Sequence, residues 1–286
     1  MKLATYASVS VAAFLILIKF WAWLETDSVS ILSALVDSML DLVTSAINLF
    51  AVRYALMPPD ADHRFGHNSA EDVAALGQGA FVAGSATFIA INAFGKLLHP
   101  EPIGANGIGI TVMAISVAAT LALVTFQRIV VKRTGSTAIH ADHLHYLSDL
   151  ALNGSVIVAL VLSSKLGWHY ADPLFSIAIS IGILYGAWHI GRRAFDKLMD
   201  KSFPEAEVEK IQNMAMAHPG VLGVHNIKTR YSGIKPFIQF HLELDGTQSL
   251  HATHLIADTL EHSLLERYPG GEVIIHQDPR MPPGVD

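Results

Sequence analysis

With 286 residues, 51% of them hydrophobic and only 15% charged, the chain lies well below the roughly 25% charged residues of an average soluble domain and is far too apolar for a disordered one. A formal net charge of −6 gives no basic footprint for a nucleic-acid backbone, so no nucleic-acid partner is expected. The absence of cysteine removes disulfides, thiolate metal sites, iron–sulfur clusters and cysteine nucleophiles together, so a metal can be held only by oxygen and nitrogen, to which fifteen histidines contribute.

Six apolar runs of bilayer length are read in chain order, at Leu3 to Leu24, Val29 to Leu56, Val73 to Leu98, Ile103 to Phe126, Leu144 to Leu166 and Pro173 to Ile190. The first follows Lys2 but lacks a small-residue cleavage site and is succeeded by five more, so it reads as a membrane helix and not as a signal peptide. Pro58-Pro59, His99-Pro100-Glu101-Pro102 and Asp172-Pro173 mark expected helix ends. Arg53, Arg64, Arg128, Lys132, Arg133, Arg192, Arg193, Lys197 and Lys201 lie at one set of span ends, against Lys96 and Lys165 at the other, beside Glu25 and Asp27. Cytoplasmic ends are enriched in basic residues, so both termini are expected in the cytoplasm.

From about Asp200 the chain reads as a small soluble domain. The expected order is a helix from Phe203-Pro204-Glu205 to about Ala217, strands at Val221 to Tyr231 and Pro236 to Asp245, a helix over Leu250 to Tyr268 and a strand at Glu272 to His276. The expected architecture is therefore an all-α six-helix transmembrane domain over 1–199 and a compact α+β domain over 200–286, with its helices on one face of the sheet.

Chemistry begins where charge enters hydrocarbon. Asp37 and Asp41 are four apart on the second run, and His145 and Asp149 repeat that spacing on the fifth, so each pair shares one helix face. At about 1.5 Å per residue both pairs lie about 12 Å into the membrane, from opposite ends of antiparallel helices, and so converge near its middle. Three carboxylates and an imidazole at that depth are expensive unless they face a cavity and share a cation, and they supply four ligands suited to a tetrahedral divalent metal. Lys19, the one lysine well inside a run, cannot by itself neutralise three acids. His140 and His143 read as solvated or interfacial.

Two further clusters are candidates on weaker grounds. The loop Pro59 to His67 offers Asp60, His63 and His67, with Asp62 as a substitute for Asp60, and ligation and plain loop polarity are evenly balanced there. Seven histidines fall in the last 86 residues. Among them His225, His241, His254 and His276, with Gln277 and Asp278 following directly, could meet only through folding.

Four segments in order, Asp37-x-x-x-Asp41, Asp60-x-x-His63-x3-His67, His145-x-x-x-Asp149 and Val273-Ile274-Ile275-His276-Gln277-Asp278-Pro279, resemble the cation diffusion facilitators, in the bacterial YiiP-type zinc and iron efflux branch. The resemblance covers essentially the whole chain. It implies a homodimer of six-helix units in the bacterial inner membrane, with metallochaperone-like αββαβ cytoplasmic domains, exporting Zn²⁺ against protons. It also implies that Asp37, Asp41, His145 and Asp149 form the transport site and that Asp60, His63 and His67 form a loop site. His225, His241, His254, His276 and Asp278, with the backbone carbonyl of Gln277, would form a two-metal site at a cytoplasmic subunit contact. One position departs: Ser69 stands where relatives carry a lysine that pairs with an acid at the end of the sixth helix, here Asp200.

An oxygen-rich site with one nitrogen accepts Zn²⁺, Fe²⁺, Cd²⁺, Co²⁺ or Mn²⁺, and intrinsic affinity order does not choose among them. The chain is not expected to be an enzyme. The rival readings are an intramembrane zinc hydrolase, which needs an open metal position and a base such as a His-Glu-x-x-His helix supplies, and a non-transporting metal sensor.

Overall fold

The computed structural model describes residues 1–27, 29–98, 107–166, 168 and 170–280; the turn expected at 99–102 and the predicted start of the fourth run at Ile103 fall outside the described residues, and so does the side chain of Lys165. Two compact units result, Met1–Phe195 and Asp196–Asp286.

The first unit is all helical: α1 (Lys2–Thr26), α2 (Val29–Ala55), α3 (Ala70–Leu98), α4 (Gly107–Thr134), α5 (Thr137–Leu166) and α6 (Ala171–Leu198), whose last turn runs into the second unit. Five of these helices are both long and apolar enough to cross a membrane. The sixth, α5, is long enough at 30 residues but begins at Thr137, seven residues before the apolar run expected to form it, and so gathers His140, Asp142 and His143 besides His145 and Asp149.

The side chains are arranged inside out relative to a soluble protein. Leu17, Trp21, Phe50, Phe88, Tyr185 and Trp188 are exposed, while Ala4, Ser8, Ala12, Ala75, Ala141 and Ala194 are buried. Large apolar residues gain nothing from leaving lipid, so the helices associate through small residues that let backbones approach. Ala75, Ala141, Ile190 and Ala194 join α3, α5 and α6, and Val82, Ala86, Ile183 and Ala187 continue the seam. At Gly186 an added Cβ would sit 3.0 Å from the side chain of Leu144, tighter than ordinary contact, so this glycine lets α6 lie close to α5. On the other side of α5, Tyr146 packs against Leu123 and Val124 of α4, with Ala7 and Val11 of α1 beside them. The helix that carries the most polar residues is therefore enclosed by the others.

The second unit is α+β: α7 (Glu205–Met216), β1 (Val221–Ser232), β2 (Lys235–Asp245), α8 (Leu250–Arg267) and β3 (Glu272–Arg280). The sheet order is β1-β2-β3, antiparallel then parallel. A two-residue connection suffices for the antiparallel pair, and Gly233 takes φ 57° in it, the left-handed conformation such turns require. The parallel pair needs a crossover, which α8 supplies. Ser249 caps α8, its hydroxyl accepting the Ala252 amide. Ile238, Phe240, Leu242 and Leu244 alternate along β2 and face Ile211 and Ala215 of α7 and Ala257, Leu260 and Leu264 of α8. The alternate residues Gln239, His241 and Glu243 are left on the opposite, open face.

Truncating the centre of this core, Leu242→Ala, is expected to destabilise the second unit by about 3 kcal/mol, within the range for buried leucines. Gln239→Ala, on the open face, is expected to change it by less than about 0.5 kcal/mol. Hydrogen exchange of the β2 amides distinguishes the two; equal protection in both variants would contradict this assignment of faces.

Candidate metal sites

In the helical unit α2 brings Asp41 and α5 brings His145 and Asp149 into one group, in which a ligand atom from each lies within 4.8 Å of the others. His145 Nε2 is 3.1 Å from Asp41 Oδ1 and 3.9 Å from Asp149 Oδ2. The His145 side chain is 9% exposed, and Asp149 Oδ2 is buried with no hydrogen-bond partner. All three line a cavity of about 490 Å³ between α1, α2, α3, α5 and α6, walled by Phe81, Val82 and Leu152. Asp37 lines the same cavity without joining the tight group. A turn of α2 separates it from Asp41, the residue level with His145. Lys19 also lines the cavity, its ammonium donating to the Ala34 carbonyl (3.1 Å) and the Ser38 hydroxyl (2.6 Å).

The sequence reading passed over Asp142, one turn from His145. It is 1% exposed and accepts from Ser8 Oγ (2.6 Å), Gln127 Nε2 (2.8 Å) and Gln78 Nε2 (3.0 Å), which belong to α1, α4 and α3. The Tyr146 hydroxyl adds a bond to the Ser8 carbonyl (3.3 Å) and contacts Ser45 Oγ of α2 at 2.7 Å. The available signal was three uncharged polar residues, Ser8 and Gln78 inside apolar runs and Gln127 at the end of one.

The loop after α2 brings Asp60, His63 and His67 together. Asp60 Oδ1 is 3.3 Å from His63 Nδ1, and Asp60 Oδ2 is 3.3 Å from His67 Nε2. Tyr54 sets its ring edge-on to that of His67, which is buried. Asp62 is turned into service differently from the substitution considered above: its backbone N–H, with that of His63, donates to Asp60 Oδ1 at 3.0 and 2.7 Å. Those two amides, His63 first, hold the Asp60 carboxyl below the usual carboxylate range.

In the cytoplasmic unit strand register assembles the third group. His225 pairs with His241 across β1 and β2, and His241 pairs with His276 across β2 and β3, so three imidazoles form one row on the open face. Asp278 lies two residues beyond His276 on the same face. Its carboxylate reaches His241 Nδ1 at 2.9 Å, His225 Nε2 at 3.3 Å and His276 Nε2 at 3.3 Å. The bond from His241 holds the Asp278 carboxyl below its ordinary range, aided by the charges of the other two imidazoles. Glu243, absent from the sequence reading, contacts His225 Nδ1 at 3.2 Å. His254 is exposed on α8, which covers the other face of the sheet, so one chain does not bring it into this row. Gln277, whose neighbours in the strand take the open face, buries its side-chain oxygen without a partner.

Asp200 accepts from Arg230 Nη1 at 2.8 Å, and Lys201 pairs with Asp196. Arg230, which the sequence reading did not consider, is thus the cation that faces Asp200 within the cytoplasmic unit.

Residues 5–199 match the cation efflux transmembrane domain, and residues 203–280 match the cation efflux protein cytoplasmic domain. The cation-efflux pump FieF of Klebsiella pneumoniae is 49% identical over 276 residues, 96% of this chain and 92% of that protein. FieF of Yersinia enterocolitica is 47% identical over 278 residues, 97% and 92% of the two chains. A solved structure titled as the zinc form of a zinc transporter, CzrB, matches 29% of this chain and 94% of its own at 34% identity, with a TM-score of 0.27.

The Asp142 network generates a stability prediction. Interhelical hydrogen bonds in membranes average about 0.6 kcal/mol each, so stranding three donors in Asp142→Ala is expected to cost about 2 kcal/mol. Asp142→Asn, which keeps an acceptor, is expected to cost less. Melting of the detergent-solubilised protein measures both, and an Asp142→Ala protein that melts with the wild type would show the network to be dispensable.

Proposed function

The chain belongs to the cation efflux family, also called the cation diffusion facilitators, and from that premise we propose that it exports divalent metal ions, Zn²⁺ foremost, across the bacterial inner membrane in exchange for protons. The observation that carries this reading is the convergence of Asp41, His145 and Asp149 in a cavity enclosed by membrane-length helices, with Asp37 on its wall. These four residues bind the cargo. Residues 1–199 act as the transport domain with both termini cytoplasmic, and residues 200–286 bind metal and hold the homodimer.

Exchange follows from competition for the same lone pairs. Metal binds deprotonated carboxylates and neutral imidazole, so loading from the cytoplasm expels protons and protonation from outside expels metal. One site must face each side in turn, which requires helices to rock around it. Ala75, Ala141, Ala187 and Ala194 at the contacts of α3, α5 and α6 let those helices lie close to one another.

Asp60, His63 and His67 take a metal at the cytoplasmic loop. His225, His241 and Asp278 lie close enough together to share a zinc ion in the cytoplasmic domain, and His276 stands beside them on the other oxygen of the Asp278 carboxylate. His254 and the Gln277 carbonyl complete that site on the strength of the family resemblance. Zinc there supplies a cross-link that favours the assembled dimer.

Asp41→Ala is expected to abolish metal flux in proteoliposomes while leaving a folded dimer; wild-type flux would remove Asp41 from the site. An imposed gradient, acidic outside, is expected to accelerate export, and His145→Asp to weaken that coupling or shift metal preference. Flux indifferent to the gradient would point to uniport. Saturating Zn²⁺ is expected to stabilise the dimer by RT ln(1 + [L]/Kd), about 2.7 kcal/mol at a hundredfold excess over Kd, read as a higher melting temperature that vanishes in His241→Ala or with chelator. Melting unchanged by Zn²⁺ would make these histidines structural.

A further inference from the structure

Lys19 places its ammonium group in the cavity lined by the proposed cargo ligands, and nothing in the exchange mechanism above uses it. It sits seven residues before the end of α1 at Thr26, about 10 Å along the helix at 1.5 Å per residue, within the reach of a lysine that turns outward toward the membrane surface. It turns inward instead, binding the Ala34 carbonyl and the Ser38 hydroxyl of α2. Ala34 and Ser38 each lie three residues before one of the cavity acids, Asp37 and Asp41 respectively, so the ammonium is held beside the two carboxylates of that helix. It is within electrostatic reach of Asp41, Asp37 and Asp149 alike.

We infer that Lys19 is a built-in counter-cation of the transport cavity that weakens cargo binding enough for release. The inference rests on the transport-site reading above and adds to it a residue that sets affinity without ligating. In the metal-loaded state the ligands are deprotonated, so Asp37, Asp41 and Asp149 carry three negative charges and Lys19 one positive, a net of minus two that one divalent ion brings to neutrality. Without Lys19 the same pocket presents three uncompensated charges in a low-dielectric surround. Electrostatic attraction for a divalent cation rises with that excess. A tighter site loads at lower concentration but empties slowly, which is the wrong trade for a pump. The carbonyl and hydroxyl contacts keep the ammonium on the wall of α2, where it repels the cargo while leaving the lone pairs of Asp41, His145 and Asp149 free to bind.

The test is Zn²⁺ binding to the purified full-length protein, by competition with a fluorescent chelator, paired with flux in proteoliposomes. Asp41→Ala run in parallel identifies the share of binding that belongs to the membrane site. Lys19→Gln removes the charge but keeps an N–H donor for Ala34 and Ser38, and Lys19→Arg keeps the charge. The Asp41-dependent Kd is expected to fall at least tenfold in Lys19→Gln, about 1.4 kcal/mol, with KM and maximal flux falling together, while Lys19→Arg stays near wild type. An Asp41-dependent Kd that is unchanged or weaker in a normally melting Lys19→Gln would overturn the inference and leave the transport site standing. No Asp41-dependent binding in the wild type would overturn both. If Lys19→Gln does not fold, Lys19→Met, which keeps the aliphatic stem, carries the same test.

Discussion

The organisation of the membrane unit follows from the cost of placing ionisable groups in hydrocarbon. A carboxylate there needs donors, a counter-charge or water, and α5 carries two of them, Asp142 and Asp149, seven residues apart. The helix is enclosed by the others because no lipid-facing position could hold them. Its neighbours can enclose it tightly because Ala75, Ala86, Ala187 and Ala194 keep the facing surfaces smooth.

The two acids on α5 are treated in opposite ways. Asp142 receives three neutral donors from three other helices, so its solvation is replaced in full by fixed protein dipoles. That arrangement is complete and has no need of a ligand. Asp149 keeps a buried oxygen without a hydrogen-bond partner, and the charged groups around it are His145, Asp41, Lys19 and Asp37. The deficit is what a cation makes good. Because both acids ride on one rigid helix, the satisfied cluster anchors α5 to α1, α3 and α4 while the unsatisfied one, less than two turns along, remains open to exchange.

The cytoplasmic group reaches its geometry by a different rule. A strand alternates its side chains between faces, and β2 gives one face to the core through Phe240 and Leu242 and the other to His241 and Glu243. Register with β1 and β3 then sets His225 and His276 on either side of His241, at the spacing of paired strands. Much of this was legible in sequence. The six helices, the αββαβ order, and the pairs at Asp37, Asp41, His145 and Asp149 follow from run length and helical period. What single-chain periodicity could not supply was lateral register, which decides that Asp41 rather than Asp37 meets His145 and that Glu243 joins His225. Nor could it show Asp142, since a lone acid near the end of a run is indistinguishable from an interfacial residue until its three donors are placed around it. His254 enters the expected subunit-contact site through the family resemblance alone, and within one chain it is exposed on α8, away from the row of His225, His241 and His276.

The three groups differ in how firmly their carboxylates are committed before any metal arrives. Asp60 is pinned by two backbone amides and Asp278 by three imidazoles, so each is an ionised ligand held in place by the fold. Such preorganisation spares the ordering cost of binding and favours retention. In the membrane cavity Asp41, His145 and Asp149 lie equally close together, but Asp149 keeps one buried oxygen without a hydrogen bond and Asp37 stands outside the group, so these carboxylates are held by fewer contacts. Under the proposed transport reading, an ion bound there would bear the cost of ordering Asp37 and Asp149 at each turnover, which favours release. Under that reading the same two residue types, aspartate and histidine, would serve both for holding a metal and for passing one on, according to how firmly the surrounding fold fixes them.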